Sequence, residues 1–540
     1  MARLDPAAGR RSRWRPDGRR GAARHRTRRW RRWAPVRPAR LSSDVRGQFG
    51  PTHRRLRPGG SDLAHRCATA GTARCRRGPA PGKPRPGISL QATCLSPPHL
   101  QPDVASPISN CDVVESPFND ESPMRMNASP IHPPRKKRGW LMRLLLVVLA
   151  VIAALAVVVG VLYLVARPSL GRTPEGARLE RVKQSSQWDG DSFYSGRDSW
   201  SPESNPSKAA ETATPPPAVP VVRTDPAVLR TSPVSGLRVT WFGHSSTLVQ
   251  VDGVNVLTDP FWSERASPLQ FIGPKRWYPP PIALADLPRI DAVVVSHDHY
   301  DHLDAGTIRA LNRDGVRFVV PLGVGAHLED WGVPANRITE LDWWESTVVR
   351  GVRIHATPAG HYSGRVEFQG NDALWAGYAL VGSRSRVYYT GDTSYMPEMI
   401  EIGRRLGPFD LVLTDSGQYN PGWADVHLGP EQAVELAKAV GAKTMMPIHW
   451  GLIRLAHHSW TEPAERTLAA AACHGVNVVI PPPGKSIEPA TATQLSKWWP
   501  QLPWMTASAS SVRSSQNGDG ASRFEPAPCR QEGRGEVATR

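Results

Sequence analysis

Six consecutive residues, His297 to His302, read H-x-H-x-D-H and bring three imidazoles and a carboxylate, Asp301, into one short segment. They follow the apolar run DAVVV at 291–295, which reads as a short buried strand. The cluster therefore falls on the loop at that strand's end. A strand tip is rigid on one side and free on the other, so it can aim several side chains at one point. Imidazole and carboxylate together suit zinc, with manganese or iron as less specific alternatives.

Three more candidates each end a strand-like run. His361 follows 352–360, Asp392 sits in YYTGDT (388–393), and His449 closes KTMMPIH (443–449). Gly391, just before Asp392, permits a tight turn and close backbone approach. The set is then five histidines and two aspartates: His297, His299, Asp301, His302, His361, Asp392 and His449. A zinc ion with an open position takes about three protein ligands. Seven are too many for one ion and suit two ions sharing a carboxylate.

This pattern resembles the metallo-β-lactamase superfamily. Within it the chain is most similar to the branch holding N-acylphosphatidylethanolamine-hydrolysing phospholipase D and its bacterial membrane-anchored relatives. The branch likeness rests on TWFGHSST (240–247), LTDPFWSERASP (257–268), GPKR (273–276), SHDHYDHLD (296–304), LDWWE (341–345), His427 with Pro430 and Glu431, and PIHWG (447–451). It runs from about residue 236 to 484, under half of the chain. The resemblance implies a four-layer αβ/βα sandwich with metals at one edge. It assigns His297, His299 and His361 to one metal, and Asp301, His302 and His449 to the other, with Asp392 between. Alternation along extended backbone agrees, since His297 and His299 would point the same way. Asp301 and His302 lie past the bend.

The resemblance also points to His427, before a Pro-Glu helix start, as a proton donor or substrate-orienting group. Asp301 is read as both ligand and catalytic residue. The neighbouring residues 415–418 (DSGQ) depart from the wording of other members. His244 and Asp259 are candidates to hold ligand histidines through their second ring nitrogen. His457 and His458 are candidate pocket residues, whereas His327, His355 and His474 read as structural or solvated. Trp343 and Trp344 read as packing, and Arg276 with Trp277 and Tyr278 as either a head-group contact or a plain surface loop.

The net charge of +19 is unevenly placed: the first 100 residues carry 25 Lys and Arg against 4 Asp and Glu. The remainder is close to neutral and has no reason to bind polyanions. No nucleic-acid partner is expected for the folded domain. Six cysteines without a C-x-x-C motif imply no disulfide framework. Cys473 reads as a buried small hydrophobe.

Along the chain, residues 1–139 read as a disordered basic leader, or as an upstream start with the true one near Met124 or Met126. Residues 140–166 read as a transmembrane anchor. Its core, 144–166, has 23 uncharged residues, enough to span roughly 35 Å. Arg135, Lys136, Lys137, Arg138 and Arg143 precede it, so the positive-inside bias keeps the N-terminus in the cytoplasm. That predicts a single-pass protein of a bacterial inner membrane with its catalytic domain on the periplasmic side. Residues 167–231 read as a linker, 232–490 as the hydrolase domain, and 491–540 as a mostly disordered tail with no fold beyond Trp504. Helices are expected at 305–312, 396–406, 430–440 and 463–474, and strands include 316–321, 374–381 and 476–480.

These readings converge on an α/β, membrane-anchored hydrolase with two zinc ions. Its expected substrate is a phosphodiester of the N-acylphosphatidylethanolamine type. A lactone or other ester on the same fold is the alternative, and a non-catalytic envelope binding protein is a third reading.

Overall fold

A computed structural model describes residues 138–194, 211–215, 219–313, 315–366, 369–492, 496–515 and 523–524. The basic leader up to residue 137, including both alternative starts, lies outside the described residues, and its last two residues belong to the first helix. The chain divides into two units at Met126, and the second, Asn127–Arg540, holds all the described residues.

Two mixed sheets form the body. The first contains β1 (Leu237–Gly243), β2 (Ser246–Val251), β3 (Val254–Thr258), β4 (Ala292–Val294), β5 (Arg317–Pro321), β6 (Ile338–Leu341) and β15 (Ser486–Ile487). Its order is β15-β1-β2-β3-β4-β5-β6, antiparallel up to β3 and parallel beyond. The second contains β7 (Ser346–Val349), β8 (Val352–Thr357), β11 (Gly377–Val381), β12 (Arg386–Tyr389), β13 (Leu411–Asp415) and β14 (Met445–Ile448), in the order β14-β13-β12-β11-β8-β7. The small hairpins are β9 (Gly364–Val366) with β10 (Gln369–Gly370), and β16 (Ser514–Ser515) with β17 (Arg523–Phe524).

The strand period of two sorts side chains between layers. Val256, Val294 and Val319 share one apolar cluster with Ile354, Tyr378, Leu380 and Leu411 of the second sheet. Their chain neighbours Leu257, Val293, Val295, Phe318 and Val320 form a second cluster with helix residues. Those helix residues are Ile308 and Leu311 of α4 (Ala305–Leu311) and Leu328 of α5 (Gly325–Asp330). Helices α6 (Glu398–Leu406), α7 (Pro430–Ala439) and α8 (Glu462–His474) pack with the second sheet, through Met399, Ile402, Val434, Leu436 and Ala464. The result is the expected αβ/βα sandwich. Strands buried on both faces account for the near-continuous apolar runs at β4 and β13.

Helix α1 (Arg138–Leu170) is long and apolar enough to cross a membrane, and its side chains are exposed up to Val165. It outlasts the expected span by a turn at its C-terminal end. The short helices α2 (Gly176–Val182) and α3 (Pro226–Arg230) come next in the chain.

Several expectations need correction. The segment 171–194 is not a free linker: Val182 and Phe193 are fully buried with Leu374 and Trp375, and Arg178 pairs with Glu329 and Glu340. Leu229 of α3 is buried in the second cluster. The described tail beyond Trp504 is also folded against the body. Val512 packs with Tyr419 and Ala424, and the Ser514 hydroxyl donates to Ala424 O at 2.7 Å. The run at 476–480 is no regular strand, with only Val478 bridged to Met445. Cys473 is half-buried and disulfide-bonded rather than a buried hydrophobe.

Candidate metal centre

The site lies where strand ends of both sheets meet. His244 follows β1 and its backbone N–H donates to Trp450 O at 2.9 Å, while the backbone N–H of His449 donates to His244 O at 3.0 Å. These two bonds stitch one sheet's edge to the other. His244, Asp259 and His449 all sit at positive φ (53°, 32° and 66°). Such backbone is costly for non-glycine residues and persists only where the surroundings hold it. At Gly391 (φ 59°) a Cβ would lie 2.5 Å from Ser296 Cβ, so only glycine lets the Asp392 turn approach the His297 loop.

The seven predicted ligands come together. His297, His299 and His361 form one group whose ligand atoms lie within 4.8 Å of one another, and His302, Asp301, His449 and His244 form a second. Asp392 lies between them. Its Oδ2 is 3.9 Å from His297 Nε2 and 3.8 Å from His361 Nε2 on one side. On the other it is 3.0 Å from His302 Nε2 and 3.1 Å from His449 Nε2. One carboxylate oxygen thus faces both groups.

The donor set fits metal ions on its own chemistry. His302 Nε2, His449 Nε2 and Asp392 Oδ1 are buried without hydrogen-bond partners. A buried unpaired polar atom costs about 1–3 kcal/mol, so three of them at one point call for a ligand. His302 and His449 would be protonated well above the usual range, His449 near 10. Burial works against that, but Asp392, with Asp301 for His302 and Asp415 for His449, outweighs it. Carboxylates that draw protons onto these rings would hold a cation in their place. His297 and His361 are held neutral well below 6.5, chiefly by burial. Neutral imidazole is the form that ligates.

A further layer of contacts orients the rings. Asp259 Oδ2 takes His302 Nδ1 at 2.6 Å and also accepts from Ser296 Oγ and from the Tyr389 hydroxyl. Ser296 Oγ in turn meets His297 Nδ1 at 2.9 Å. His361 Nδ1 meets Val426 O at 2.8 Å. Asp415 reaches two rings at once, His427 Nδ1 at 3.0 Å and His449 Nδ1 at 3.2 Å. Asp415 was legible only as a loop residue. Its role arises because β13 and β14 are parallel neighbours, with Asp415 paired in register to Ile448.

The other sequence candidates separate cleanly. Asp259 holds a histidine, as expected. His244 instead holds a carboxylate, with Nε2 at 2.8 Å from Asp301 Oδ2. His458 does not reach the site; it stacks on Tyr419 and bonds Ser459 O. The Arg276 guanidinium is buried and bound to Tyr278 O and Trp262 O, which leaves it no head-group role. Trp343 is packing, donating to Trp375 O. His327 is structural, linking Asp298 to Arg172 N.

A cavity of about 400 Å³ opens above the cage. Its polar floor is His299, Asp301, Asp392, His427 and His449, and its walls include Tyr300, Tyr362, Trp423, Val426 and Leu455. Charged groups at one end and aromatic or aliphatic walls around it suit an amphiphilic substrate. The walls were not readable from sequence, because 362, 423–426 and 455 lie on loops without periodic pattern.

The profile of the beta-lactamase superfamily domain matches residues 254–450. An uncharacterized protein of Mycobacterium tuberculosis is 48% identical over 52% of this chain and 77% of its own length. N-acyl-phosphatidylethanolamine-hydrolyzing phospholipase D 1 of Caenorhabditis elegans is 43% identical over 40% of this chain and 64% of its own. The mitochondrial enzyme of the same activity in Saccharomyces cerevisiae is 31% identical over 42% and 50%. Taken with the two-sheet sandwich and the histidine–aspartate cage at its edge, these likenesses establish that the chain belongs to the metallo-β-lactamase superfamily and is a metal-dependent hydrolase.

Proposed function

We propose that the chain is a membrane-anchored phosphodiesterase of phospholipase D type, holding two zinc ions and acting on N-acylphosphatidylethanolamine-like lipids. The observation that carries the dinuclear reading is Asp392, whose one oxygen faces both ligand groups. The substrate reading is supported by the two phospholipase D relatives and by a cavity with a polar floor and aromatic walls. Exposed Phe271 and Ile272, in the loop leading from cavity-lining Ala266, suit contact with a lipid surface. A single-pass anchor in the inner membrane of a bacterium, with the domain in the periplasm, is consistent with α1 and with the disulfide at Cys473.

His297, His299 and His361 would hold one ion, and Asp301, His302 and His449 the other, with Asp392 shared. Bound zinc supplies positive charge to a phosphoryl oxygen and lowers the pKa of water. His427 has its Nδ1 committed to Asp415, so Nε2 is the ring atom that would pass a proton to the departing alcohol oxygen. Asp301, fixed by His244, keeps its charge in the cage. Tyr300, Tyr362 and Trp423 would lie along the acyl chains.

The test uses the full chain, zinc-loaded in mixed micelles, and measures N-acylethanolamine and phosphatidate release. Turnover that disappears in His299→Ala supports the reading. A folded protein holding two metals per chain that leaves this lipid intact sinks the substrate and turns attention to lactones and other esters.

A further inference from the structure

The last turn of α1 is bonded to a side chain that also holds the 298–303 loop. A helix leaves its final carbonyls without intrahelical partners. Here arginines of the body take them. Arg365 donates from Nη2 to Ser169 O at 2.7 Å and from Nε to Leu170 O at 3.1 Å, and Arg309 donates to Pro168 O. Cations at a helix C-terminus also meet the negative end of its dipole.

Arg365 does more than cap the helix. Its Nη1 donates to Asp298 O at 2.6 Å and to Leu303 O at 2.9 Å. Those two carbonyls bracket the loop that carries His299, Asp301 and His302. The guanidinium also lies 4.0 Å from the ring of Tyr300, a cavity wall residue whose hydroxyl donates to Arg365 O. Arg365 is only 7% exposed, so its charge is spent on these groups.

A second connection runs in parallel. Arg172 N donates to His327 Nδ1 at 3.1 Å, and His327 Nε2 meets Asp298 Oδ2 at 3.2 Å. Gly171 makes this approach feasible. It has φ 78°, and a Cβ there would lie 2.2 Å from His327 Nδ1. Further out, Arg167 and Asp330 form a two-pronged ion pair at 2.9 and 3.2 Å.

We propose that Arg365 is a positioning residue that pins the 298–303 loop to the end of α1, so that the docked last turn of the anchor is part of the scaffold that retains metal. This rests on the metal-centre reading above and on no choice of substrate.

The test measures zinc release to a chelator from the full-length, zinc-loaded protein in lipid nanodiscs, with melting curves alongside. Arg365→Gln is expected to lose zinc about tenfold faster, the scale seen when an outer contact of a metal ligand is removed. Arg365→Lys, which keeps the charge but not the fork, is expected to recover part of that loss. Arg167→Ala touches neither the loop nor the ligands and is expected to speed release by a smaller factor. If Arg167→Ala releases zinc at the native rate while Arg365→Gln does not, the anchor is a mere tether and its part in the scaffold is overturned. Native rates in both overturn the whole proposal. Should Arg365→Gln fail to fold, the Arg365→Lys and Arg167→Ala rates still decide between these outcomes. Failure of the lipid as substrate would leave all these rates unaffected.

Discussion

The two ligand groups are braced differently. Around His297 and His361 the outer partners are neutral, the Ser296 hydroxyl and the Val426 carbonyl. Around His302 and His449 they are carboxylates, Asp259 and Asp415, and Asp301 is itself held by His244. A carboxylate behind an imidazole raises its basicity and strengthens it as a ligand. The contrast appears in the proton affinities too, depressed in the first group and raised in the second. The half of the cage built on Asp301, His302 and His449 should therefore be the tighter one, and the half built on His297, His299 and His361 the looser.

The largest effect should come from the residue that belongs to both halves. Asp392→Asn is expected to reduce turnover by more than about a hundredfold, beyond the loss from an outer contact. Metal analysis should show both ions weakened. Loss of one ion alone would mean that Asp392 serves only one group.

Next come the braces. Asp259→Asn and Asp415→Asn should each weaken one ion by about 10–100-fold, whereas Ser296→Ala should cost less. Stepwise chelation of the native protein, followed by metal counting, should give a one-metal form that keeps the His302–His449 ion. A one-metal form held by His297, His299 and His361 would reverse the comparison.

The smallest effect is on the stability of the metal-free protein with pH. His297 and His361 have folded pKa values below the unfolded one. Their penalty sets in as pH falls below about 6.5, where only the unfolded chain takes up protons. His449 is raised to about 10, so its contribution is whole below its unfolded pKa and is lost as pH rises through the folded one. Melting temperature should fall on both sides of neutrality, and zinc should flatten both limbs. A metal-free melting temperature that rises steadily with pH would contradict the assignment of His449.

The candidate ligands were legible because each stands at the end of an apolar run, and four of them share one short segment. The sandwich was legible because fully buried strands read as unbroken apolar stretches. Asp415 was not, since its contacts depend on which strands lie side by side. The packing of 171–194 was hidden for another reason. It rests on Val182 and Phe193, too few apolar residues to set up a period. The tail is similar, with Val512 flanked by Ser511 and Arg513 and part of no apolar period. The 476–480 run misled in the opposite sense. Its β-branched residues favour a strand, yet it holds to β14 through Met445 alone.

The two main-chain bonds between His244 and the 449–450 corner have a consequence for how such an enzyme can change. They lock the cage across both sheets with main-chain atoms that no substitution short of proline removes. The cavity walls hang instead on separate loops, at 362, 423–426 and 455. Two of these loops are tied to the cage, since Val426 O holds His361 and Tyr362 follows that histidine in the chain, whereas Leu455 holds no candidate ligand. Exchanging residues around 455 should therefore retune what fits while the reacting centre stays as it is, whereas change at 362 or 426 should shift both together.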